Sequence, residues 1–348
     1  MFVGVGMDKD YFVTMNDPKN VVEVDCLQTC FSTENGTVRS VDGVSFHIPA
    51  GKTLCVVGES GCGKSVTGLS LMRLLPEGMG RIVSGQIRLN TGTQAIDIVK
   101  APEKLMQTLR GGVISMIFQE PMTALNPVLT IGYQLGEAIS LHTDGKDVKT
   151  KVQTLLETVG IPNPTGVAKM YPHNLSGGMR QRVCIAMALA GDPRLIIADE
   201  PTTALDVTVQ AQILELLQQL KHKTGCAVML VTHDLGVVAQ MADLVAVMYA
   251  GRVVESGTVT DIFYQAAHPY TRGLLASRPV IGQGAKRLYA IGGAVPNPIS
   301  LPDRCYFYDR CESCGEDCHG QYPREIALSD THKVSCYFPQ APKEGLYG

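Results

Sequence analysis

The sequence has no excess of basic residues. Its 30 Lys and Arg against 33 Asp and Glu give a formal net charge of −3 at pH 7. Binding to a nucleic acid requires basic residues that neutralise phosphates, so this balance argues against that class of protein. We therefore expect no nucleic-acid partner.

Long hydrophobic runs are also missing. The longest apolar stretches, such as LVAVMYA, are far shorter than the roughly 20 residues that span a bilayer. The N-terminal segment has neither a basic region nor a sustained apolar region, which predicts that it is not a secretory signal peptide. These absences indicate a cytoplasmic chain that reaches a membrane only through a partner.

Internal repeats and low-complexity tracts are absent as well. A length of 348 residues suits two domains, and a hydrophobic content of 45% permits a sizeable core. We expect residues 1–20 to be flexible. The composition changes after about residue 265, where a proline-rich stretch precedes a group of cysteines. We therefore predict a main domain over 21–265 and an extension over 266–348.

The main domain alternates short apolar runs with helical patterns. LIIAD, AVMLVTHD and ADLVAVMYAG are compact runs that suit buried parallel strands. In DVTVQAQILELLQQLKHKTG the apolar residues recur with helical spacing, after a candidate cap at Asp206 and before Gly225. Strands that alternate with helices predict an α/β fold with helices on the faces of the sheet.

The stretch GESGCGKS follows an apolar run, precedes a helical pattern and fits the phosphate-loop pattern GxxxxGK[ST]. Its glycines let the backbone bend round a phosphate, and the helix N-terminus adds partial positive charge. We expect Lys64 to bind the β- and γ-phosphates and Ser65 to bind Mg²⁺. The predicted nucleotide contacts are Gly58, Glu59, Ser60, Gly61, Cys62, Gly63, Lys64, Ser65 and Val66.

Two acidic residues, Asp199 and Glu200, follow a second strand-like run. Ligands of open α/β sheets bind beyond the carboxyl ends of the strands, so we expect Asp199 to reach the magnesium ion through water. Glu200 is placed to accept a proton from an attacking water. His233 ends another such run, and beside these motifs we favour a γ-phosphate contact over an ordinary turn histidine.

LSGGMRQRV is a second glycine-rich helix start, with Ser176 as its cap. Such a start binds anions, and one nucleotide rarely needs two of them. We therefore expect Ser176, Gly177 and Gly178 to contact a nucleotide that a second copy of the domain binds. Two copies arranged head to tail would then enclose two nucleotides.

Together these motifs resemble, in kind and in order, the ATP-binding subunits of ABC transporters, over about residues 22–260. The resemblance implies a P-loop NTPase ABC cassette, with a mixed sheet, a RecA-like core and a helical subdomain at about 120–190, here followed by a small Cys-rich C-terminal extension. GESGCGKS is then the Walker A loop, LSGGM the signature, LIIAD with Glu200 the Walker B motif, and ALD the D-loop.

The resemblance also implies roles for single residues. Ser65, Gln119 and Asp199 surround Mg²⁺, while Asp206 lies at the seam between two cassettes. Phe31 falls where the family places an aromatic residue that stacks on adenine. The catalytic set of an ATP-hydrolysing subunit is Lys64, Gln119, Glu200 and His233.

A finer resemblance lies in FQEPMTALNPVLTIG, YPHNLSGGMRQRV and HPYTRGLLASRP. These stretches look like the dipeptide and oligopeptide importer subfamily, which also handles nickel and some other small solutes. The subfamily implies an ATPase at the cytoplasmic face of the cell membrane that couples ATP binding and hydrolysis to permease movement. Its implied partners are a second ABC ATPase subunit, usually a different chain, two integral membrane permeases and an extracytoplasmic solute-binding protein.

Eleven cysteines in a long cytosolic chain suggest metal ligands or reactive thiols. Four of them share the spacing C-x5-C-x6-C-x17-C, namely Cys305, Cys311, Cys318 and Cys336. Four thiolates suit tetrahedral zinc or an iron–sulfur cluster, and free thiols are the alternative. The subfamily resemblance matches these positions and favours a [4Fe–4S] cluster with a structural role. Cys314, His319 and His332 are further candidate ligands.

Other classes of ABC protein are less consistent with the chain. Repair ATPases need long coiled coils or zinc modules between the phosphate loop and the signature, and neither is present. A soluble ATPase of iron–sulfur assembly fits the size but does not need the cysteine extension. A non-hydrolysing regulatory subunit is disfavoured because Glu200 and His233 are intact.

Overall fold

The computed structural model describes residues 10–143, 145–277, 289–299 and 301–341. The strands in these ranges are β1 (Phe12–Val13), β2 (Asn20–Thr33), β3 (Gly36–Pro49), β4 (Thr53–Val57), β5 (Gly80–Asn90), β6 (Ala95–Asp97), β7 (Ile114–Ile117), β8 (Leu195–Asp199), β9 (Ala227–Thr232), β10 (Leu244–Tyr249), β11 (Arg252–Thr258), β12 (Ile326–Ala327) and β13 (Lys333–Val334). The α-helices are α1 (Lys64–Met72), α2 (Glu103–Leu109), α3 (Pro121–Ala124), α4 (Ile131–His142), α5 (Val148–Thr158), α6 (Pro164–Val167), α7 (Gly177–Leu189), α8 (Val207–Thr224), α9 (Leu235–Met241), α10 (Val259–Gln265) and α11 (Pro269–Ala276). This succession confirms the predicted α/β fold.

The larger sheet has eight strands in the order β12, β13, β11, β10, β4, β9, β8, β7. The strands from β10 to β7 in that order are parallel, and β11 pairs antiparallel with β10. Parallel strands are buried on both faces, which explains why LIIAD and AVMLVT are continuous apolar runs. The carboxyl ends of β4, β8 and β9 therefore meet at one edge of the sheet, where the candidate nucleotide site lies.

A smaller antiparallel sheet, in the order β1, β6, β5, β2, β3, covers one face of the larger sheet. Alternation along β8 divides the core into two parts. Leu195 and Ile197 pack into the part shared with α1 and the small sheet, whereas Ile196 and Ala198 pack into the part beneath the other helices. The larger sheet is thus a middle layer with a hydrophobic core on each side.

Helices α3 to α7 lie between β7 and β8, in the region where the sequence predicts the helical subdomain. Their buried side chains include Leu135, Leu156 and Val183, which belong to the helix-side core. Thr130 caps α4 by accepting a hydrogen bond from the Tyr133 N–H. Over the ranges that the structure describes, no helix combines the length and the apolar character needed to cross a membrane.

The cysteine-rich extension is attached to the larger sheet by strand pairing. β13 pairs antiparallel with β11, with Val334 opposite Glu255, and β12 pairs with β13. The Ser335 N–H also donates to the Val254 carbonyl at 2.8 Å. A boundary near residue 266 remains a prediction, and the extension packs on the main domain across it.

The N-terminal segment differs from the flexible stretch predicted for residues 1–20. Residues 1–9 lie outside the described ranges. From residue 10 onward the backbone is held, because β1 pairs with β6 and the buried Glu23 carboxylate accepts hydrogen bonds from the N–H groups of Asn16 and Asp17, both at 2.8 Å. A buried carboxylate needs such donors, so it orders the residues that precede β2.

Candidate nucleotide-binding site

The phosphate loop turns between β4 and α1 and requires glycine at two points. Gly58 has a φ of +153°, and a Cβ there would stand 2.2 Å from the Met248 carbonyl oxygen. Gly63 has a φ of +99°, and a Cβ there would stand 2.1 Å from the Ser40 carbonyl oxygen. Larger residues would therefore force the loop away from β10 and β3.

Lys64 is buried at the start of α1. Its Nζ donates to the carbonyl oxygens of Gly58 and Glu59, at 2.8 Å and 3.0 Å. These bonds hold the ammonium group within the turn of the loop, beside the N-terminus of the helix. The arrangement concentrates positive charge in this turn, and the contact of Lys64 with a phosphate stays a prediction.

Ser65 and Asp199 meet although 134 residues separate them in sequence. The Ser65 hydroxyl donates to Asp199 Oδ1 at 2.9 Å, at the carboxyl end of β8. Burial raises the pKa of Asp199, the neighbouring Glu200 charge adds to this, and the hydrogen bond from Ser65 opposes it. A hydroxyl and a carboxylate in contact are oxygen donors of the kind that Mg²⁺ takes, so these residues fit the predicted ion.

Glu200 is at the centre of a hydrogen-bonded group. Its Oε2 accepts from Gln119 Nε2 at 3.2 Å and from the Thr203 hydroxyl at 2.9 Å, and its Oε1 lies 3.1 Å from His233 Nδ1. Burial raises the pKa of Glu200, but the bonds from His233 and Thr203 lower it more, so the net shift is downward. The carboxylate is therefore ionised at neutral pH and oriented by three side chains, as a base toward water requires.

The backbone at Glu200 is strained, because its φ of +44° lies in the left-handed region that non-glycine residues rarely adopt. Thr203, three residues further on, returns to bind the same carboxylate. No sequence motif predicted a role for Thr203, although it lies in the stretch EPTT that begins with Glu200. Residues held in sparsely populated backbone conformations cluster at functional sites.

The signature residues lie beside the D-loop. Ser176 caps α7 by accepting from the Met179 N–H at 3.3 Å, and Asp206 caps α8 by accepting from the Val209 N–H at 3.0 Å. A Cβ on Gly178 would stand 2.6 Å from Val209 Cγ1, so a glycine allows the two helix starts to approach closely. Both caps match their predictions as helix starts, while their contact with a second cassette stays a prediction.

The Phe31 side chain packs within the small sheet. Phe31 lies on β2, and its ring covers Gly80 on β5, where a Cβ would stand 2.9 Å from the ring. The ring is partly buried, and Leu75 Cβ lies close to the same position on Gly80, at 3.1 Å. Stacking of Phe31 on an adenine remains a prediction.

Glu59 of the phosphate loop has partners that sequence reasoning did not find. Its carboxylate forms two hydrogen bonds with the Arg310 guanidinium, at 2.8 Å and 2.9 Å, and its N–H donates to the Tyr270 hydroxyl at 2.9 Å. Arg310 is 251 residues away in sequence, and no local pattern connects it to the loop. Only the folded extension brings them together.

The four predicted cluster cysteines lie in the extension near one another. The pKa of the Cys305 thiol is raised to about 12, mainly by burial, and the neighbouring thiols of Cys318, Cys336 and Cys311 contribute to this rise. In the described part of the chain, however, no group of three or more His, Cys, Asp or Glu side chains is placed to hold a metal ion. The metal centre therefore stays a prediction.

The three further candidate metal ligands, Cys314, His319 and His332, lie in different surroundings. Cys314 is exposed, and His319 Nε2 lies 2.9 Å from the Tyr308 hydroxyl. His332 is buried against Glu255, with 2.8 Å between Nε2 and Oε1. The two histidines therefore have hydrogen-bond partners within the extension and the large sheet.

Comparison with known proteins places these observations in a family. A family model described as "ABC transporter" matches residues 41–203, and one described as "Oligopeptide/dipeptide transporter, C-terminal region" matches residues 254–318. The dipeptide transport ATP-binding protein DppD of Bacillus subtilis (strain 168) is 50% identical over 321 residues, which are 92% of this chain and 95% of DppD. The oligopeptide transport ATP-binding protein OppD of the same organism is 48% identical over 328 residues, which are 93% of this chain and 90% of OppD.

Solved structures show the same fold. The dimeric ATP-binding cassette MJ0796 in a post-hydrolysis state with ADP and Pi aligns with a TM-score of 0.60 and 25% identity, covering 68% of this chain and 98% of MJ0796. The cbiO1 structure from Clostridium perfringens, part of the ABC transporter complex cbiONQ, aligns with a TM-score of 0.58 and 25% identity, covering 70% of this chain and 91% of cbiO1.

Proposed function

Because the chain belongs to the ABC transporter family of ATP-binding proteins, we propose that it is the ATP-hydrolysing subunit of an importer of dipeptides or oligopeptides. The cargo class is supported by the names of DppD and OppD and by the match to the peptide transporter C-terminal region. Hydrolysis is supported by one observation above all, the ionised Glu200 held by Gln119, Thr203 and His233.

In this proposal the loop Gly58–Ser65 and Val66 hold the triphosphate of ATP, with Lys64 on the β- and γ-phosphates. Ser65, Asp199 and Gln119 hold Mg²⁺. Glu200 accepts the proton of the attacking water, and His233 lies where it reaches the γ-phosphate. The contacts of Ser65 with Asp199 and of His233 with Glu200 support a single centre for these roles.

The site is completed by a second cassette. Ser176, Gly177 and Gly178 present a capped helix start that suits an anion, and Asp206 lies beside them on the next helix. We propose that these residues close over the nucleotide of the partner ATPase subunit, which the subfamily resemblance suggests is a different chain. The likeness to a dimeric cassette that holds ADP and Pi supports this arrangement.

The helical segment α3–α7 is the proposed contact with two integral membrane permeases, at the cytoplasmic face of the membrane. It exposes apolar side chains that a monomer would not leave in water without cost: Val128 at 75%, Leu141 at 74% and Tyr133 at 59% exposure. Gln119 precedes this segment and binds Glu200, so a movement of the segment can reach the catalytic carboxylate. An extracytoplasmic binding protein would deliver the peptide to the permeases.

A [4Fe–4S] cluster on Cys305, Cys311, Cys318 and Cys336 is the finer proposal for the extension. Four clustered thiols are the donor set that such a cluster takes, and two of them, Cys305 and Cys318, are buried while Cys311 and Cys336 are partly buried. When bound, the cluster would link chain segments that otherwise carry little regular secondary structure. Its proposed role is therefore to stabilise the extension, and zinc on the same thiols is the competing assignment.

The function is tested by affinity purification of the tagged full chain from membranes in mild detergent, with identification of the co-purifying proteins. Permeases and a peptide-binding protein are the expected partners. If the chain copurifies with other proteins but with no permease, the transport function is contradicted. If the copurifying binding protein is specific for nickel, the transported solute is nickel and not a peptide. A parallel phosphate-release assay on the purified chain tests hydrolysis directly.

A further inference from the structure

The extension reaches the phosphate loop through a paired, charged contact. Arg310 Nη1 lies 2.8 Å from Glu59 Oε2, and Arg310 Nη2 lies 2.9 Å from Glu59 Oε1. The Arg310 side chain is only 5% exposed and that of Glu59 26%. Two parallel hydrogen bonds to one carboxylate give the contact both strength and a fixed direction.

Arg310 is itself held on three sides. Its Nε donates to the Gly292 carbonyl at 2.8 Å, and its Nη1 lies 3.3 Å from the hydroxyl of Tyr249, the last residue of β10. Gly293, with a φ of +77°, leaves room for its stem, since a Cβ there would stand 3.1 Å from Arg310 Cγ. The guanidinium therefore has little freedom to leave Glu59.

Further contacts support the loop from both ends. The Tyr270 hydroxyl accepts from the Glu59 N–H at 2.9 Å, and the Gly251 N–H donates to the Cys62 carbonyl at 3.0 Å. Gly251 in turn accepts from the N–H of Asp42, whose carboxylate binds the Tyr306 hydroxyl of the extension at 2.7 Å. Two residues of the extension, Tyr306 and Arg310, thus lie on chains of contacts that lead to the phosphate loop.

The charge of Glu59 makes the Arg310 contact consequential. A carboxylate in the second position of a loop that binds a polyanion would repel the phosphates if it stood alone. The guanidinium neutralises that charge and fixes the direction of the carboxylate. Removing one partner of such a pair leaves the other charge uncompensated in a partly buried place.

We propose that Arg310 is a positioning residue of the nucleotide site, which neutralises Glu59 and holds the phosphate loop in its binding shape from within the cysteine-rich extension. This inference rests on the proposed function, since it concerns the affinity of the same loop for ATP. It assigns to the extension a direct effect on nucleotide binding. Arg310 immediately precedes Cys311, so the fold of the cysteine group sets the position of the guanidinium.

The test compares the purified full chain with the variants Arg310→Ala, Glu59→Gln, the double variant and Arg310→Lys. Binding of MgATP is measured by titration at a temperature where turnover is negligible, and KM and kcat are measured separately. We expect Arg310→Ala to raise the Kd and the KM for MgATP about tenfold, with kcat changed less than twofold. In the double variant we expect Kd to return to within about threefold of the unaltered chain, because no uncompensated carboxylate remains.

Arg304→Ala is the matched control. Arg304 belongs to the same extension, but it pairs with the exposed Asp309 at 3.3 Å and does not touch the loop. We expect its Kd to equal that of the unaltered chain. Equal loss of affinity in Arg304→Ala and Arg310→Ala, or no recovery in the double variant, would overturn the inference.

Three further outcomes also distinguish this inference from the proposed function. If Arg310→Ala does not fold, Arg310→Gln replaces it, because glutamine keeps part of the stem but removes the charge that neutralises Glu59, and an unchanged Kd would overturn the inference. Arg310→Lys keeps the charge but loses the paired geometry, so we expect its Kd to lie between those of the unaltered chain and Arg310→Ala. If the unaltered chain itself binds no MgATP, the proposed function fails. A chain that binds and hydrolyses ATP while all Arg310 variants match it would leave the function standing and refute the role of Arg310.

Discussion

Replacing Glu200 with glutamine tests the catalytic centre most directly. The substitution keeps the size of the side chain and one carbonyl oxygen for Gln119 or Thr203, but it removes the charge that faces His233. A positioned general base contributes about 10²- to 10⁴-fold to a rate. This corresponds to about 2.7–5.5 kcal/mol of activation free energy.

Nucleotide binding should survive this change. Lys64 and the glycines of the loop make their contacts without Glu200, because Lys64 Nζ bonds to the carbonyls of Gly58 and Glu59. We therefore expect kcat to fall at least about 100-fold while the Kd for MgATP changes less than about threefold. A large fall in kcat with a nearly unchanged Kd distinguishes the loss of a proton acceptor from damage to the binding site.

The assay is steady-state phosphate release from the purified full chain, with nucleotide binding measured in parallel. Glu215→Gln is the matched control, since Glu215 is exposed on α8 and hydrogen-bonds only locally to Gln219. A Glu200→Gln protein that retains more than about a tenth of the kcat would refute the assignment of Glu200 as the base. The hydrogen bonds that lower the pKa of Glu200 add a second check, because kcat should fall in acid only as the pH drops below the ordinary glutamate value of 4.5.

Three other outcomes follow from single contacts. Lys64→Ala should weaken MgATP binding at least about tenfold, because it removes the buried ammonium group, and a nucleotide titration checks this. Asp243→Asn should lower the free energy of unfolding by about 2–3 kcal/mol at neutral pH in a urea titration, since Asp243 binds the Thr53 N–H and the buried Lys221. Burial raises the pKa of Asp243, but these bonds and Lys52 lower it more, so the stabilisation is full above the ordinary value of 3.8 and is lost as pH falls through the lowered pKa. Cys305→Ala should abolish bound iron and acid-labile sulfide in protein purified without oxygen, whereas the control Cys26→Ala should retain both. Zinc in place of iron in the unaltered chain would contradict the iron–sulfur assignment.

The centre of the fold followed from local patterns. Continuous apolar runs predicted β8, β9 and β10, and the glycine-rich segment with Lys64 predicted the turn into α1. These features are predictable because parallel strands and helix starts place the same demands on any sequence that adopts them. The segment before β2 was predicted less well, because Glu23 orders it by hydrogen bonds that no periodicity reveals.

The remaining features of the site depend on contacts between distant parts of the chain. Thr203 was not predicted because its role requires the strained turn at Glu200, and Arg310 was not predicted because its partner lies on another element. The sequence by itself predicted which residues would bind phosphate, bind Mg²⁺ and accept a proton, because residue type and spacing limit that chemistry. Only the tertiary structure decided that the cysteine-rich extension holds Glu59. The extension is attached by the pairing of β13 with β11, and Arg310 packs on Tyr249, so that Arg310 reaches the phosphate loop although it is distant from it in sequence.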